Sequence, residues 1–209
     1  MTKKLLILMC LACMVGGATP ITVLFVNGGS VSNGTDSVGP YNLDLNGLPI
    51  EAPCISVNLE VSDGETWQAT ETPIVDYSAP TTALLEQAVW LDLQFNVQPT
   101  ASWAPIQQAI WDVGETILGQ TKTFTDTGVN STSSWLATAL ANYTKISSAQ
   151  YATYSLLVPV AGTEVPSSDG LPQSFLVQTT PEPATLSLVG LALVGLGILS
   201  RRRAASRVA

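Results

Sequence analysis

The chain contains no histidine, and it is poor in cysteine and in basic residues. The absence of histidine excludes Ser-His-Asp and Cys-His catalysis, the usual zinc sites and the commonest general base near neutral pH. An enzyme built from this sequence would have to use carboxylates, as glycosidases do. The carboxylates are scattered and form no pattern that indicates such a site. We therefore predict no enzyme, catalytic residue, cofactor or metal site, and a carboxylate-dependent glycan hydrolase remains an alternative.

Basic residues are almost confined to the two ends of the chain. The formal net charge is −8, and Lys122 and Lys145 are the only basic residues between the N-terminal lysines and the C-terminal arginines. Every acidic residue except Glu182 lies between positions 36 and 169. Such an acidic surface repels nucleic acid, so we expect no nucleic-acid partner.

The N-terminus has the parts of an export signal. Lys3 and Lys4 precede an apolar run at 5–15 that is too short to span a bilayer, and small residues follow it. We predict a signal peptide over residues 1–18, cleaved after Ala18. An exported domain over 19–166 and a spacer over 167–180 would follow.

The C-terminus combines a short motif, an apolar run and a basic cluster. The motif is Pro181, Glu182 and Pro183, whose prolines disfavour helix and keep the segment extended for a processing enzyme. Residues 184–200 are apolar on every helical face, and at about 1.5 Å per residue they would just cross a bilayer as a transmembrane helix.

The basic cluster predicts the orientation of that helix. It consists of Arg201, Arg202 and Arg203. Arginines resist translocation, so residues 204–209 form a cytoplasmic tail and everything before the motif lies outside.

The order of these three parts, over residues 181–203, resembles the PEP-CTERM sorting signal of Gram-negative bacteria. The resemblance implies that exosortase, a membrane transpeptidase, is the partner and cuts near Pro-Glu-Pro. It also implies a single-pass anchor in the inner membrane before processing, then a position at the cell surface or outside the cell. A link to exopolysaccharide and biofilm, with extracellular polysaccharide as a partner, is implied as well. The alternative is an ordinary tail anchor.

The hydrophobic pattern predicts strands first, helices in the middle and strands at the end. Asn46-Gly47 between alternating apolar residues indicates a hairpin turn. Strands are predicted at 21–26, 41–45, 50–61, 154–160 and 174–178, and helices at 84–95, 103–117 and after 130–134. This order predicts an α+β domain: an antiparallel β-sheet or sandwich with a helical insertion.

Cys54 is the only cysteine after the predicted signal peptide, so it can form no internal disulfide. Its strand and the sequence Gln-x-Ala-Ile-Trp beginning at Gln107 together resemble the thioester domains of Gram-positive surface adhesins. The resemblance implies that Cys54 is the nucleophile and Gln107 the acyl donor of an internal thioester that captures amines covalently. Pro53, Ser56 and Ile106 depart from that family's pattern. The alternative is an inert core cysteine, since free cysteines are readily buried.

Overall fold

The computed structural model describes residues 20–32, 36–57, 59–119, 126, 128–165 and 172–179. These residues form an antiparallel β-sheet with helices inserted between its fourth and fifth strands, which confirms the predicted α+β class. The predicted signal peptide and transmembrane helix lie outside the described residues. Within the described ranges, no helix has the length and apolar character needed to cross a membrane.

The six strands make one sheet in the order β3-β2-β1-β4-β5-β6, and every neighbouring pair is antiparallel. The strands are β1 Ile21–Asn27, β2 Tyr41–Leu45, β3 Leu48–Ala52, β4 Thr66–Pro73, β5 Tyr154–Pro159 and β6 Phe175–Gln178. The helices are α1 Ala79–Phe95, α2 Trp103–Leu118, α3 Thr132–Asn142 and the short α4 Ser148–Tyr151.

The β2–β3 hairpin forms where the sequence predicts it. Asn46 and Gly47 both have positive φ, 53° and 89°, as a tight hairpin turn requires. The Gly47 N–H donates to the side chain of Asp44, which fixes the turn. The register then pairs Tyr41 with Ala52 and Leu45 with Leu48.

The predicted strand at 50–61 is wrong beyond Ala52. The following proline has no N–H, and at this point the chain leaves β2 for a new partner. Cys54 forms a bridge with Phe175 of β6. The Ile55 N–H donates to Ser174 O at 2.9 Å, and the Leu176 N–H donates to Pro53 O at 3.1 Å. The sheet thus closes on itself, with the segment after β3 lying beside β6.

Buried side chains form two cores, and α2 contributes to both. One core contains inward-facing strand residues such as Phe25, Trp67 and Phe175, and Trp111 of α2 joins it. The other contains helix residues and the opposite face of β5 and β6, including Leu176 and, from α2, Ile110. Helix α2 is therefore held by two hydrophobic clusters at once, which fixes its position against the sheet.

The folded domain extends further than predicted. The spacer was expected from residue 167, but β6 continues the sheet to Gln178, and the compact unit ends at that residue. The sequence predicts the strand at 174–178. The Ser- and Pro-rich residues before it resemble a spacer, which is why the C-terminal boundary of the domain was predicted too early.

Candidate functional site

Cys54 is fully buried at the closure of the sheet. Its Sγ donates to the main-chain oxygen of Ser56 at 2.8 Å. Burial raises the pKa of the thiol to about 12, although hydrogen bonds from Ser56 and from the Trp111 side chain act in the opposite direction. Reactive cysteines depend on the thiolate, and the raised pKa keeps this thiol protonated at neutral pH.

Gln107 of α2 lies directly against Cys54. Its Nε2 donates to Cys54 O at 2.6 Å, and its side chain is fully buried. Its Oε1 is also buried, and it has no hydrogen-bond partner among the described residues. A buried unsatisfied acceptor costs about 1–3 kcal/mol. The structure thus brings together the two residues of the predicted thioester, which are far apart in sequence.

One face of α2 builds this contact. Gln107, Trp111 and Gly114 are spaced i, i+4 and i+7, so they share that face. Gly114 touches the strand segment so closely that an added Cβ would lie 1.8 Å from Ile55 O. The roles of Trp111 and Gly114 were not predicted. The sequence signal for Gly114 was its position in the middle of a helix. Glycine there costs about 1 kcal/mol of helix stability relative to alanine, so its presence indicates close packing against a neighbouring segment.

Gly39 completes the surroundings of the Gln107 amide. A Cβ at position 39 would lie 2.9 Å from Gln107 Oε1 and 2.8 Å from the ring of Tyr41. Only glycine leaves room for both side chains.

The three departures from the adhesin pattern each have a structural role. Pro53 O accepts the Leu176 N–H, and Ser56 Oγ accepts the Ser174 N–H at 2.8 Å. Ile106 is fully buried in the core shared by the helices. Pro53 and Ser56 thus contribute hydrogen bonds to the closure of the sheet, whereas Ile106 contributes to the packing of the helices.

A cavity of about 510 Å³ has Trp111 in its lining. Aromatic residues and carboxylates line it, including Phe25, Tyr41, Trp111, Asp36, Glu60 and Asp63. In the part of the chain that the structure describes, no group of three or more Asp, Glu, Cys or His residues is arranged to hold a metal ion.

The pKa values of the Asp92 and Asp112 carboxyl groups are also raised. Burial raises the pKa of Asp92 to about 7, and the Tyr154 hydroxyl, which donates to Asp92 Oδ2 at 2.9 Å, partly offsets this effect. Burial, with the charges of Glu115 and Asp126, raises the pKa of Asp112 to about 6. The hydrolase alternative stays a prediction.

The predicted sorting residues lie outside the described residues, as does Ala18. In the comparison with protein families, residues 179–203 match the family described as the PEP-CTERM protein-sorting motif. The chain carries a PEP-CTERM sorting signal. The match spans the Pro-Glu-Pro motif, the apolar run and the arginine cluster, which confirms that resemblance. No curated protein and no solved structure matches the chain, so the comparisons give the resemblance to thioester adhesins no support.

Proposed function

We propose that this protein is exported, processed by exosortase at the inner membrane and then placed at the cell surface or in the extracellular matrix, where it accompanies exopolysaccharide and biofilm. The observation that carries the proposal is the sorting motif at residues 179–203. The last strand among the described residues ends at Gln178, and the matched motif begins at the next residue. The domain itself acts as a structural or binding module and not as an enzyme.

Replacement of Glu182 tests the sorting step. Glu182→Ala should leave an uncleaved, membrane-retained form in cells that contain exosortase, because the motif is no longer read. Asp76→Ala changes an exposed carboxylate of the folded domain and is the matched control. Cell fractionation and apparent mass are compared in exosortase-positive and exosortase-negative strains. Identical processing of the unmodified protein in both strains would reduce the C-terminus to a tail anchor.

A second function is favoured by the contact between Gln107 and Cys54. We propose that the pair forms an internal thioester that binds partners covalently. Cys54 Sγ would attack Cδ of Gln107 and form the C–S bond. The C–N bond to Nε2 would break, and the thiol proton would leave with the nitrogen as ammonia. Both side chains are fully buried, which would shield the product from water.

Intact mass tests the thioester. Freshly secreted domain should weigh one ammonia less than its processed sequence, and a small amine should open the bond and add its own mass. Cys54→Ala and Gln107→Ala should each abolish the effect. Hydrolysis leaves a free thiol and a glutamate at position 107, so the mass is followed over time. Full calculated mass in fresh protein, with a thiol that reacts only after unfolding, would identify an inert core cysteine.

A further inference from the structure

We propose that the cavity lined by Trp111 is a binding site for a sugar unit that carries a protonated amino group, as in a deacetylated amino-sugar polymer. The inference deepens the proposed function, and the choice of a polysaccharide as the source of the ligand rests on it. The cavity lining includes neither Cys54 nor Gln107, so binding here is noncovalent and independent of the proposed thioester.

The cavity has the size and the mixed lining of a ligand site. Its volume of about 510 Å³ falls within the range typical of ligand pockets, roughly 300–1,000 Å³. Three aromatic lining residues, Phe25, Tyr41 and Trp111, are each at most 3% exposed. Glu60 and Asp63 are exposed, so the carboxylates lie nearer to solvent than the rings. Apolar groups inside and polar groups near the mouth suit a sugar, which has apolar C–H groups and polar hydroxyls.

Hydrogen bonds fix the wall that carries Asp63. The Gly64 N–H donates to Phe25 O at 2.8 Å, and the Phe25 N–H donates to Glu65 O at 2.9 Å. The Ser62 N–H donates to Oε2 of the buried Glu65 at 3.0 Å, which closes the turn. Asp63 is therefore held beside β1 before any ligand arrives. A preformed wall lowers the entropic cost of binding.

Gln173 joins two other parts of the lining. Its Nε2 donates to Leu59 O at 2.6 Å, which ties the segment before β6 to the segment that carries Glu60. Its Oε1 is buried and has no hydrogen-bond partner among the described residues. An unused acceptor in a buried position is unfavourable, so this wall favours a ligand that donates hydrogen bonds.

A close approach at Gly28 positions the third wall. A Cβ at position 28 would lie 2.4 Å from Ser37 Oγ, so only glycine lets Ser37 come this near to the end of β1. The Tyr41 hydroxyl also donates to Ser37 O. Asp36, the residue before Ser37, is thereby held in the lining of the same cavity.

The charges of the lining indicate the class of ligand. Asp36, Glu60 and Asp63 line the cavity, and its described lining includes no lysine or arginine. Carboxylates around a cleft raise the local concentration of cations and repel anions, which excludes uronic-acid polymers. Among the described residues no group of three or more carboxylates is arranged to hold a metal ion, so an organic ligand is favoured.

An amino sugar satisfies both features of this lining. Carboxylates accept hydrogen bonds from hydroxyl and ammonium groups, and the bonds from ammonium groups are the stronger. A protonated amino sugar carries both kinds of donor on one ring. A lysine side chain offers only the ammonium group, and a neutral sugar offers only hydroxyls.

Isothermal titration calorimetry tests the ligand class. The full chain in nonionic detergent micelles is titrated with three probes: a glucosamine trimer, its fully N-acetylated form, and a lysine trimer blocked at both ends, which has as many positive charges as the glucosamine trimer. We expect the glucosamine trimer to bind at least about tenfold more tightly than either of the others at low salt, and the advantage over the acetylated form to shrink as salt screens the charges. Equal affinity for the lysine trimer would overturn the saccharide assignment. Equal affinity for the acetylated trimer would overturn the charge preference, and no binding of the glucosamine trimer would overturn the site.

Charge neutralisation locates the site. Glu60→Gln with Asp63→Asn should weaken binding of the glucosamine trimer at least about fivefold, because two carboxylates of the lining are lost. Glu51→Gln with Asp76→Asn changes the net charge equally at exposed positions outside this cavity and should leave the affinity unchanged. Equal weakening by the two pairs would assign the affinity to the general acidity of the domain and overturn the site.

The binding test and the sorting test fail separately. The calorimetry uses the unprocessed chain, so its result does not depend on exosortase. Absence of binding together with exosortase-dependent processing would overturn the cavity site and leave the sorting proposal standing. Processing that ignores exosortase would remove the sorting proposal, and the calorimetry would still decide whether the cavity binds amino sugars.

Discussion

Gly114 of α2 lies directly against the main chain of Ile55. A Cβ at position 114 would lie 1.8 Å from Ile55 O and 2.8 Å from Ile55 Cγ1. The strand segment cannot easily retreat, because the Ile55 N–H is bonded to Ser174 O across the closure of the sheet. This contact sets the separation of helix and strand and therefore the position of Gln107 against Cys54.

Gly114→Ala should destabilise the domain even though alanine is the better helix former. The expected loss in the free energy of unfolding is about 1–3 kcal/mol, because overpacking exceeds the gain of about 1 kcal/mol in helix propensity. Thr116→Ala, on the exposed side of the same helix, is the control. Urea titration measures both. A variant as stable as the control would show that the close approach does not matter.

Gly39→Ala should destabilise the folded domain more than the same change at a glycine with free space around it. Gly39 has a φ of 24°, and an added Cβ would meet Tyr41 and Gln107 below 3 Å. Gly162, with a φ of 77° and nothing within 4 Å of the added Cβ, shares the unusual backbone without the collision. Thermal unfolding should show a lower Tm for Gly39→Ala than for Gly162→Ala, by about 4–8 °C for each kcal/mol in a small domain. Equal Tm values would contradict the steric argument.

Stability should depend on pH through Asp92. Its pKa is about 7 in the folded domain and about 3.9 in the unfolded chain, so the folded state binds the extra proton between these values. The contribution of Asp92 to the free energy of unfolding should therefore be largest below pH 4 and should fall as the pH rises toward 7. Asp92→Asn should flatten that part of the profile. Urea titrations from pH 4 to pH 8 check this, and an unchanged slope would exclude Asp92 as its source.

Tyr154→Phe provides a separate check on the same pair. The Tyr154 hydroxyl donates to Asp92 and lowers the pKa of its carboxyl group. Its removal should shift the pH-dependent window upward, since the charged carboxylate loses a donor. NMR titration of the Asp92 side chain measures this shift. A pKa that stays the same or falls would show that the hydrogen bond does not stabilise the charged form.

The arginine cluster should hold the C-terminus in the cytoplasm. Each arginine costs about 2.5–3.5 kcal/mol near the bilayer centre on insertion scales. Replacing Arg201, Arg202 and Arg203 by serine should therefore reduce membrane retention or let the tail cross. Arg207→Ser, outside the matched residues 179–203, is the control. A protease-protection assay that finds the wild-type C-terminus outside would reverse the assigned orientation.

Local signals predicted the local parts of this fold. The Asn46-Gly47 hairpin follows from the backbone freedom of its own residues, and the helices follow from their apolar periodicity. Strand β4 was missed because its sequence is rich in threonine, glutamine and glutamate, and only alternate residues such as Trp67 and Ala69 are buried. The strand proposed up to residue 61 failed because its true partner, β6, is more than a hundred residues away.

The candidate site likewise has parts that the sequence could predict and parts that it could not. The sorting signal is contiguous, so its three parts could be recognised in order. The pairing of Cys54 with Gln107 came from a resemblance, and the structure supplies the contact. Trp111 and Gly114 could not be assigned roles from sequence, because their importance arises only where α2 meets a remote strand. The cavity combines residues from several loops and strands, which no local pattern reports.

The bridge between Cys54 and Phe175 also determines how mechanical force would travel through an anchored molecule. Phe175 belongs to β6, which ends at Gln178, immediately before the sorting motif. An amine that opened the proposed thioester would be linked to the acyl carbon of Gln107, so tension between that partner and an attachment at the C-terminus would enter the domain through α2. It would then pass through the close contact of α2 with the segment after β3, and through the hydrogen bonds around the bridge, into β6. This short series of contacts would carry the load while the rest of the domain kept its fold.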